Sequence, residues 1–458
     1  MMDAIVSLSK RRGFLYPGSE IYGGFANSYT YGPYGVELKN NIKALWWKKF
    51  VHNREDIVGI DGPIILHPKV WEASGHATGF NDALVDCKEC HKRYRADHLV
   101  ESATGKDMEG KLSEMKQVLD EQKIPCPHCG LSHWSDVKNF NMMFQTKLNT
   151  TDGAVDDIAY LRPETAGAIF LEFLHVLEST RQKIPFGIAQ IGKAFRNEIV
   201  AGNFIFRLRE FEQMEIEYFF NPKASWEDLF EEWLTLQEQF ARSLGAKEKD
   251  LRRYEHPKEK LSHYSRKTID IEYQFPFGFK ELFGLAHRFD FDLTQHTKHS
   301  GKTLDYFDNA TNERYVPHAL EPTFGLDRSV LVALCSAYAE EKLENGEERV
   351  VLKLPPYLAP VKVAVFPLVK NKPELVGVAR DIFQSLRSEF VCEFDDHGNV
   401  GKRYRRQDEI GTPFCVTVDY ESLSSHTVTV RNRDSMQQER VSIDSLRSYL
   451  HPLLQTTL

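Results

Sequence analysis

Between Gln190 and Phe219 the chain reads QIGKAFRNEIVAGNFIFRLREFEQMEIEYF, two stretches in which polar and apolar residues alternate with the period of a strand. In the first, Gln190, Arg196 and Glu198 share one parity, and Ile191 and Phe195 take the other and can face a core. In the second, Phe211, Gln213, Glu215 and Glu217 line one side, and Met214, Ile216 and Tyr218 line the opposite one. The pattern predicts two strands joined by a loop over Ile199–Ile205, which contains Gly202 and Asn203, and it puts charges where a core strand would have none. Arg196 precedes the loop, and Arg207 and Arg209 follow it. An aromatic ring among convergent arginines and carboxylates suits a nucleotide, because a guanidinium fork matches phosphate oxygens and a Phe ring offers a face to a base. A solvated antiparallel sheet with cross-strand Arg and Glu pairs gives the same alternation.

Other periodicities add elements. Gly32–Phe50 (GPYGVELKNNIKALWWKKF) is helical and leads into the strand-like IVGIDGPIILHP, which ends at Pro68. Within it, the helix Val36–Phe50 carries Leu38, Ile42, Leu45 and Trp46 near one face, suited to a subunit interface or to packing on its own domain. Glu321–Leu334 (EPTFGLDRSVLVAL) runs from an apolar strand into a hydrophobic helix, with Gly325 and Arg328 at the turn. Ser225–Gly245 predicts an amphipathic helix, Ile269–Phe275 a strand, and Ser102–Lys123 a charged helical excursion. Leu354–Pro360 (LPPYLAP) has three prolines in seven residues and predicts a linker, dividing the chain into 1–354 and 355–458. Beyond it, Val361–Phe366, Phe414–Val418 and Thr427–Val430 read as strands and Glu374–Glu389 as a helix, a small α/β unit.

The 458 residues exceed what one core organises, and the net charge of -8 argues against an indiscriminate nucleic-acid binder. Residues 355–458 hold 13 Lys and Arg and 13 Asp and Glu, so the acidity belongs to the first part. Within that neutral part, Lys402, Arg403, Arg405 and Arg406 surround Tyr404, a set that can grip RNA phosphates and stack a base; Asp408 and Glu409 nearby can instead pair with it as a solvated helix face. No membrane span is visible, and the amino-terminal MMDAIVSLSKRRGFLYPGSE has no apolar run long enough for a signal peptide, so a cytoplasmic protein is expected. Cys87-x-x-Cys90 and Cys126-x-x-Cys129, separated by 35 residues, can present four thiolates to a structural zinc, with His91, His98 and His128 as substitute ligands; a ribbon that folds without metal is the alternative. Cys335, Cys392 and Cys415 read as reduced core residues, and His287, His296 and His299 as surface or RNA-contacting side chains on a loop.

The order F-R-x-E, loop, R-x-x-x-F at Phe195, Arg196, Glu198, Arg207 and Phe211 resembles motif 2 of the class II aminoacyl-tRNA synthetases. Glu321–Leu334 resembles motif 3, and Gly32–Pro68 resembles motif 1, in the order the class requires. Within class IIa the wording is similar to that of the homodimeric glycyl-tRNA synthetases: YGPYGVELKNN at Tyr31, RYRAD at Arg93, RPETA at Arg162, FRNE at Phe195, NFIFRLREFEQMEIE at Asn203, EPTFGLDR at Glu321 and KRYRRQDEIGTPF at Lys402. Gly167 and Ala168 stand where Gln-Gly is usual, and Thr323 where Ser is usual.

The resemblance implies an α+β fold: a class II antiparallel sheet flanked by helices over 1–354, with a Cys-knuckle insertion at about 85–135 and a helix-and-strand insertion at about 225–275, followed by an α/β anticodon-binding domain over 355–458. It implies a homodimer acting on ATP with Mg²⁺, glycine and tRNA(Gly), with no membrane partner. Arg196 would hold the α-phosphate, Arg207 and Arg328 the γ-phosphate, and Phe211 with Arg328 would sandwich adenine. Asn197, Glu198, Phe206, Leu208, Arg209, Glu210, Leu282, Gly325, Leu326 and Asp327 complete the expected ATP site. Glu281, just before a strand, is the expected magnesium ligand. Glycine would lie with its carboxylate toward Arg95 and its ammonium among Glu164, Glu212, Glu215 and Glu321, bounded by Phe211, Gln213, Met214, Pro322, Thr323, Phe324 and Gly325. Lys402, Arg403, Arg405 and Arg406 would meet tRNA, and the four knuckle cysteines zinc. A synthetase for another small amino acid and a noncatalytic RNA-binding relative are the competing readings. The second would not need Arg196 or Arg328.

Overall fold

The structure, a computed structural model, describes residues 1–105, 108, 111–148, 157–199, 202–262, 264–343 and 346–455. The two alternating stretches form β2 (Phe186–Phe195) and β3 (Glu210–Phe220), paired antiparallel with Phe186 opposite Phe219 and Phe195 opposite Glu210. They belong to a seven-stranded sheet with β1 (Ile57–Ile60), β4 (Leu251–Glu255), β5 (Lys267–Phe275), β6 (Gly278–Phe289) and β7 (His318–Gly325), in the order β4-β5-β6-β7-β3-β2-β1. All pairs are antiparallel except β1 with β2. Residues 200 and 201 of the intervening loop lie outside the described residues.

One face of this sheet carries the main core. Met214, Ile216 and Phe324 pack there against Leu38, Ile42, Trp46 and Phe50, against Trp233 and Phe240 of α3 (Glu227–Ser243), and against Val330 and Leu334 of α5 (Leu326–Ala337). The apolar stripe of α1 (Pro33–Trp47) is thus buried on its own domain. Toward one end of the other face, Phe186, Ile188 and Phe219 pack on Ile169 and Phe170 of α2 (Ala166–Leu171) and on Leu293 of α4 (Phe291–Ser300). The rest of that face is polar, yet it is covered: Gln190, Gln213, Glu215 and Glu217 are all buried. A solvated sheet is therefore not what the alternation encodes.

The excursion between the knuckles holds two helices, Ala96–Thr104 and Leu112–Glu121, rather than a single one, and residues 106, 107, 109 and 110 of it lie outside the described residues. The proline-rich segment is not a solvated tether. Leu354, Leu358 and Ala359 are fully buried, because prolines remove amide donors but leave carbonyls that neighbours satisfy: Asn41 Nδ2 donates to Leu358 O and Ala359 O at 3.1 Å each, and Lys362 Nζ donates to Tyr357 O and Ala359 O at 2.7 Å.

Past it, β8 (Val363–Pro367), β9 (Cys392–Phe394), β10 (Phe414–Val418), β11 (Thr427–Asn432) and β12 (Gln438–Ser442) form a sheet ordered β9-β8-β10-β11-β12, with α6 (Pro373–Leu386), α7 (Val400–Ile410) and α8 (Leu446–Leu454) packed on it. Buried Asp408 of α7 pairs with Arg431 (2.8 Å) and with Arg349 (3.2 Å), which belongs to the strand Glu348–Leu352 before the proline-rich segment. Arg433 donates to Leu354 O (2.8 Å). This joint fixes the second unit on the first.

Candidate active site

The polar face of the seven-stranded sheet floors a cavity of about 390 Å³. Its cationic end is built by the ends of β2 and β3 and the start of α5. Arg196, one residue past β2, donates from Nε to Pro163 O (3.1 Å), and its guanidinium lies 5.4 Å from the Phe80 ring and 5.2 Å from the Phe211 ring. Arg207 reaches Glu198 at 3.5 Å. Arg328 binds Glu281 through both its carboxylate (3.0 Å) and its carbonyl (3.0 Å) and lies 4.5 Å over the Phe206 ring. The aromatic partner of Arg328 is therefore Phe206, whereas Phe211 stacks with Arg196. Glu281 sits within β6, not before it, beside the register shift where β6 meets β5. Burial opposes its ionisation, but Arg328 prevails and lowers its pKa.

The opposite end gathers carboxyl groups. Glu215 lies across the strands from Thr323, which stands opposite Gly284 in turn; Glu321 stands opposite Ala286, so small residues leave room above the acids. Glu215 accepts hydrogen bonds from the Thr165 hydroxyl and from Thr323 Oγ1, the latter at 2.9 Å. Glu321 pairs with Arg288 at 2.6 Å, and Arg288, almost completely buried, also holds Asp292 through two bonds of 2.8 Å. Glu164 pairs with His76 at 3.2 Å. Burial disfavours ionisation of all these acids, but the outcomes differ. Glu164 is nonetheless lowered, because His76, Arg288 and Arg196 outweigh burial. Glu321 is pushed up to about 8 by burial in spite of Arg288, and Glu215 and Glu217 are raised by burial and then by neighbouring carboxylates. Both Glu217 oxygens and Glu164 Oε1 are buried with no hydrogen-bond partner among the described residues. Among the described residues, five carboxyl groups thus have direct ion pairs with only one arginine and one histidine, an arrangement short of a cation.

Residues 149–337 match the family model of the tRNA synthetase class II core domain (G, H, P, S and T), and residues 362–452 match that of the anticodon binding domain. The chain is 54% identical over 454 residues to the glycine–tRNA ligase of Acetivibrio thermocellus, covering 98% of this chain and 97% of that one. It is 51% identical over 463 residues to that of Caldanaerobacter subterraneus (99% and 98% covered) and 51% identical over 457 residues to that of Geobacillus thermodenitrificans (98% and 97%).

The chain belongs to the glycine–tRNA ligase family. Like other glycine–tRNA ligases it is an enzyme that activates glycine with ATP to glycyl-adenylate and transfers glycine to the 3′ end of tRNA(Gly). The α+β fold, the class II core and the carboxy-terminal anticodon-binding domain expected from the sequence are present. Among the described residues no helix is long and apolar enough to cross a membrane.

Strand parity divides the expected ligase site residues. Glu164, Gln213, Glu215, Glu321, Thr323, Gly325 and Phe211 line the cavity, as do Glu198, Phe206, Arg207, Leu208, Glu281, Leu282, Asp327, Arg328, Arg196 and, at the rim, Arg95. Arg95 is held by Asp82 (2.9 Å) and Asp97. Met214, Pro322 and Phe324 point to the other side, Met214 and Phe324 into the main core, because they have the opposite parity. Glu212 shares that parity: its carboxylate bridges Lys39 and Lys43 of α1 and is not free for an ammonium. Its amide donates to Asp327 Oδ2 (2.8 Å), and Tyr31 hydroxyl donates to Asp327 Oδ1, so Asp327 ties α5 to β3. Glu210 pairs with exposed Lys193, Arg209 lies 4.6 Å over Phe25, Leu326 is in the core, and the Asn197 amide is bound to Met142 O (2.8 Å).

The thiol sulfurs of Cys87, Cys90, Cys126 and Cys129 lie within 4.8 Å of one another. Two matching turns bring them together. Cys87 N bonds Lys92 O and His91 N bonds Cys87 O, just as Cys126 N bonds Leu131 O and Gly130 N bonds Cys126 O, all at 2.9 Å, with left-handed residues at His91 (φ 56) and Gly130 (φ 76). His91, His98 and His128 are outside this cluster.

Two further sequence expectations need correction. Arg403 is buried, donating to the carbonyls of Pro367, Asp396 and Gly398, so it braces the sheet end and cannot meet tRNA. Arg406 pairs with Asp395, and Arg405 with Glu347. His287 and His296 are buried, on β6 and α4, and only His299 is exposed. Arg288, Asp292, His76 and Glu217 were not anticipated as site residues. Arg288 and Asp292 are four apart at a strand-to-helix junction, a spacing with no signal of its own.

Proposed function

We propose that the cationic end binds ATP and the carboxylate pocket binds glycine. The observation that carries this reading is the missing cation: buried carboxyl groups with unpartnered oxygens beside the Arg196–Phe211 stack. A glycine ammonium supplies that charge, with Glu164, Glu215 and Glu321 as its acceptors, and Arg95 at the rim faces the substrate carboxylate once it exchanges partners. A carboxylate oxygen of glycine attacks the α-phosphorus of ATP, the bond to the bridging oxygen breaks, and pyrophosphate leaves. Arg196 stabilises the charge gathering on the α-phosphate, with Arg207 and Arg328 on the departing phosphates and Phe211 under the base. A ribose hydroxyl of the tRNA terminus then attacks the activated carbonyl and releases AMP. No protein nucleophile is required. Mg²⁺, when bound, neutralises phosphate charge, and Glu281 is the carboxylate suited to hold it.

The reading extends to 1–354 as the catalytic unit and 355–458 as the anticodon-binding unit, to Lys402, Arg405 and Arg406 as tRNA contacts, and to a cytoplasmic homodimer. Four converging thiols in two equivalent turns fit a structural zinc, and the purified protein is expected to carry a single zinc per chain by metal analysis. Metal-free protein with an unchanged fold would support the remnant ribbon instead.

Glycine selection rests on closure. Thr323 is fixed by its hydroxyl on Glu215 and by Gln237 on its carbonyl (3.4 Å), so its methyl group has little freedom to move aside. Thr323→Ser is expected to raise alanine-dependent exchange about tenfold, the order a single methyl commands in such a pocket. A fall in alanine activation would contradict this. The whole reading is tested by amino-acid-dependent ATP–pyrophosphate exchange across the proteinogenic amino acids with magnesium. Exchange with glycine alone supports it, exchange with another amino acid moves the assignment to a sister synthetase, and none at all in folded, tRNA-binding protein favours the noncatalytic reading.

A further inference from the structure

Ser74, His76 and Glu164 form a hydrogen-bonded chain that ends in the glycine pocket. The helix Pro68–Ala73 stops at Ser74, and Gly75, at φ 82, turns the backbone through the left-handed region, so the side chains on either side of it meet. Ser74 Oγ lies 2.8 Å from His76 Nδ1. A hydroxyl that donates to Nδ1 leaves the ring proton on Nε2. Nε2 stands 3.2 Å from Glu164 Oε2, so its N–H donates to the carboxylate. All three side chains are more than nine-tenths buried, and the imidazole is set edge-on between Trp71 (5.7 Å) and Phe80 (5.4 Å). Phe80 also supports the Arg196 guanidinium. The remaining Glu164 oxygen, Oε1, is buried and has no hydrogen-bond partner among the described residues.

A buried histidine of this kind can simply fill space. Filling space does not require a hydroxyl on one nitrogen, a carboxylate on the other and an empty acceptor beyond. Nor is the chain a hydrolytic triad, since Ser74 is itself buried and its hydroxyl is engaged with the ring.

We propose that His76 is a positioning residue for glycine recognition: Ser74 fixes its tautomer, Nε2–H anchors Glu164 through Oε2, and Oε1 is thereby presented to the substrate ammonium. This inference rests on the ammonium reading of Glu164 given above. Its effect is confined to the ammonium and leaves ATP binding alone.

The test uses the full-length enzyme and two inhibitors, glycyl-sulfamoyl-adenosine and acetyl-sulfamoyl-adenosine, the same molecule without the ammonium group. Their affinity ratio isolates ammonium recognition. His76→Phe keeps a ring between Trp71 and Phe80 but removes the donor; it is expected to lower the ratio, and raise the glycine KM, about 10- to 100-fold with the ATP KM unchanged, the range for a hydrogen bond to a charged group. His76→Gln, which can return an N–H to the same place, is expected to restore most of the ratio. Equal losses of both inhibitors in His76→Phe, or no recovery in His76→Gln, would overturn the inference and assign His76 to packing. If His76→Phe does not fold, Ser74→Ala, which disturbs neither ring, decides: a reduced ratio supports the chain and an unchanged one overturns it. Glu164→Gln separates the two levels. A ratio unchanged in that variant overturns the ammonium reading and the role of His76 together, whereas a ratio that collapses there but survives His76→Phe overturns the role of His76 alone.

Discussion

Replacing Arg196 with alanine is expected to lower glycine-dependent ATP–pyrophosphate exchange about 10³-fold while leaving the thermal midpoint nearly unchanged. Arg196 Nε is fixed by Pro163 O, and its guanidinium is held near Phe80 and Phe211 before any substrate arrives, so on the proposed reading a cation is already in place for the charge that grows at the α-phosphorus. Preorganised charge of this kind costs nothing to reorient during the reaction, and loss of one such donor typically lowers turnover by about 10² to 10³. The side chain contributes little to the core, because the cavity already exposes it on one side. Arg196→Lys is expected to recover only a small part of the activity, since a point charge on a flexible stem neither matches two phosphate oxygens nor stacks between rings. Equal exchange rates in the wild type and Arg196→Ala would remove the residue from the phosphate site.

That arginine was legible in the sequence because it lies beside its partners along the chain: Arg196, Glu198, Arg207 and Phe211 fall on two consecutive strands and the loop between them. Period-2 alternation also assigned the right faces to Gln213, Glu215 and Glu217 against Met214 and Ile216. Applied to Glu212, which still borders the cavity, the same rule turns its carboxylate away: it has the parity of Met214, and α1 lies on that side with Lys39 and Lys43. What the alternation cannot reveal is whether a polar face meets solvent or a second layer. Here residues 162–165 cover it, with Thr165 bonded to Gln213 and Glu215, and that segment is not near β3 in the chain. Arg288 and His76 come to Glu321 and Glu164 only through sheet order and the packing of loops, contacts that a single sequence does not encode locally. Arg403 failed for a related reason. A basic run on a helix places every third or fourth residue inward, and Arg403 shares the inner face with Gln407, so the one arginine that looks central to a phosphate grip is spent on backbone carbonyls.

Arg288→Met is expected to destabilise the protein by about 3 to 5 kcal/mol, the usual cost of removing one partner from a buried ion pair and leaving the other uncompensated. Methionine keeps much of the volume beneath Tyr264 and Phe170, whose rings lie 4.1 Å and 5.3 Å from the guanidinium, so the loss reports charge rather than a cavity. The groups left behind are Asp292, Glu321, Glu217, Glu215 and Glu164, with Arg196 the remaining cation that acts on Glu164. The sign of the pH dependence follows from Glu321. Its pKa in the folded enzyme is raised from 4.5 to about 8, so between those values the native state keeps a proton that the unfolded chain has released, and stability falls as pH rises through that window. Arg288 is the group that lowers Glu321, and without it the folded pKa moves higher still. The gap in thermal midpoint between wild type and Arg288→Met should therefore hold steady from about pH 5 to 7 and widen as pH rises through 8 and above. A gap independent of pH would mean that Arg288 acts through packing and that the pocket's charge imbalance, on which the glycine reading stands, is not felt by the fold. The same variant should lose glycine-dependent exchange even where it stays folded, because without Arg288 the Glu321 proton is held more tightly still and the carboxylate that an ammonium would need becomes harder to form.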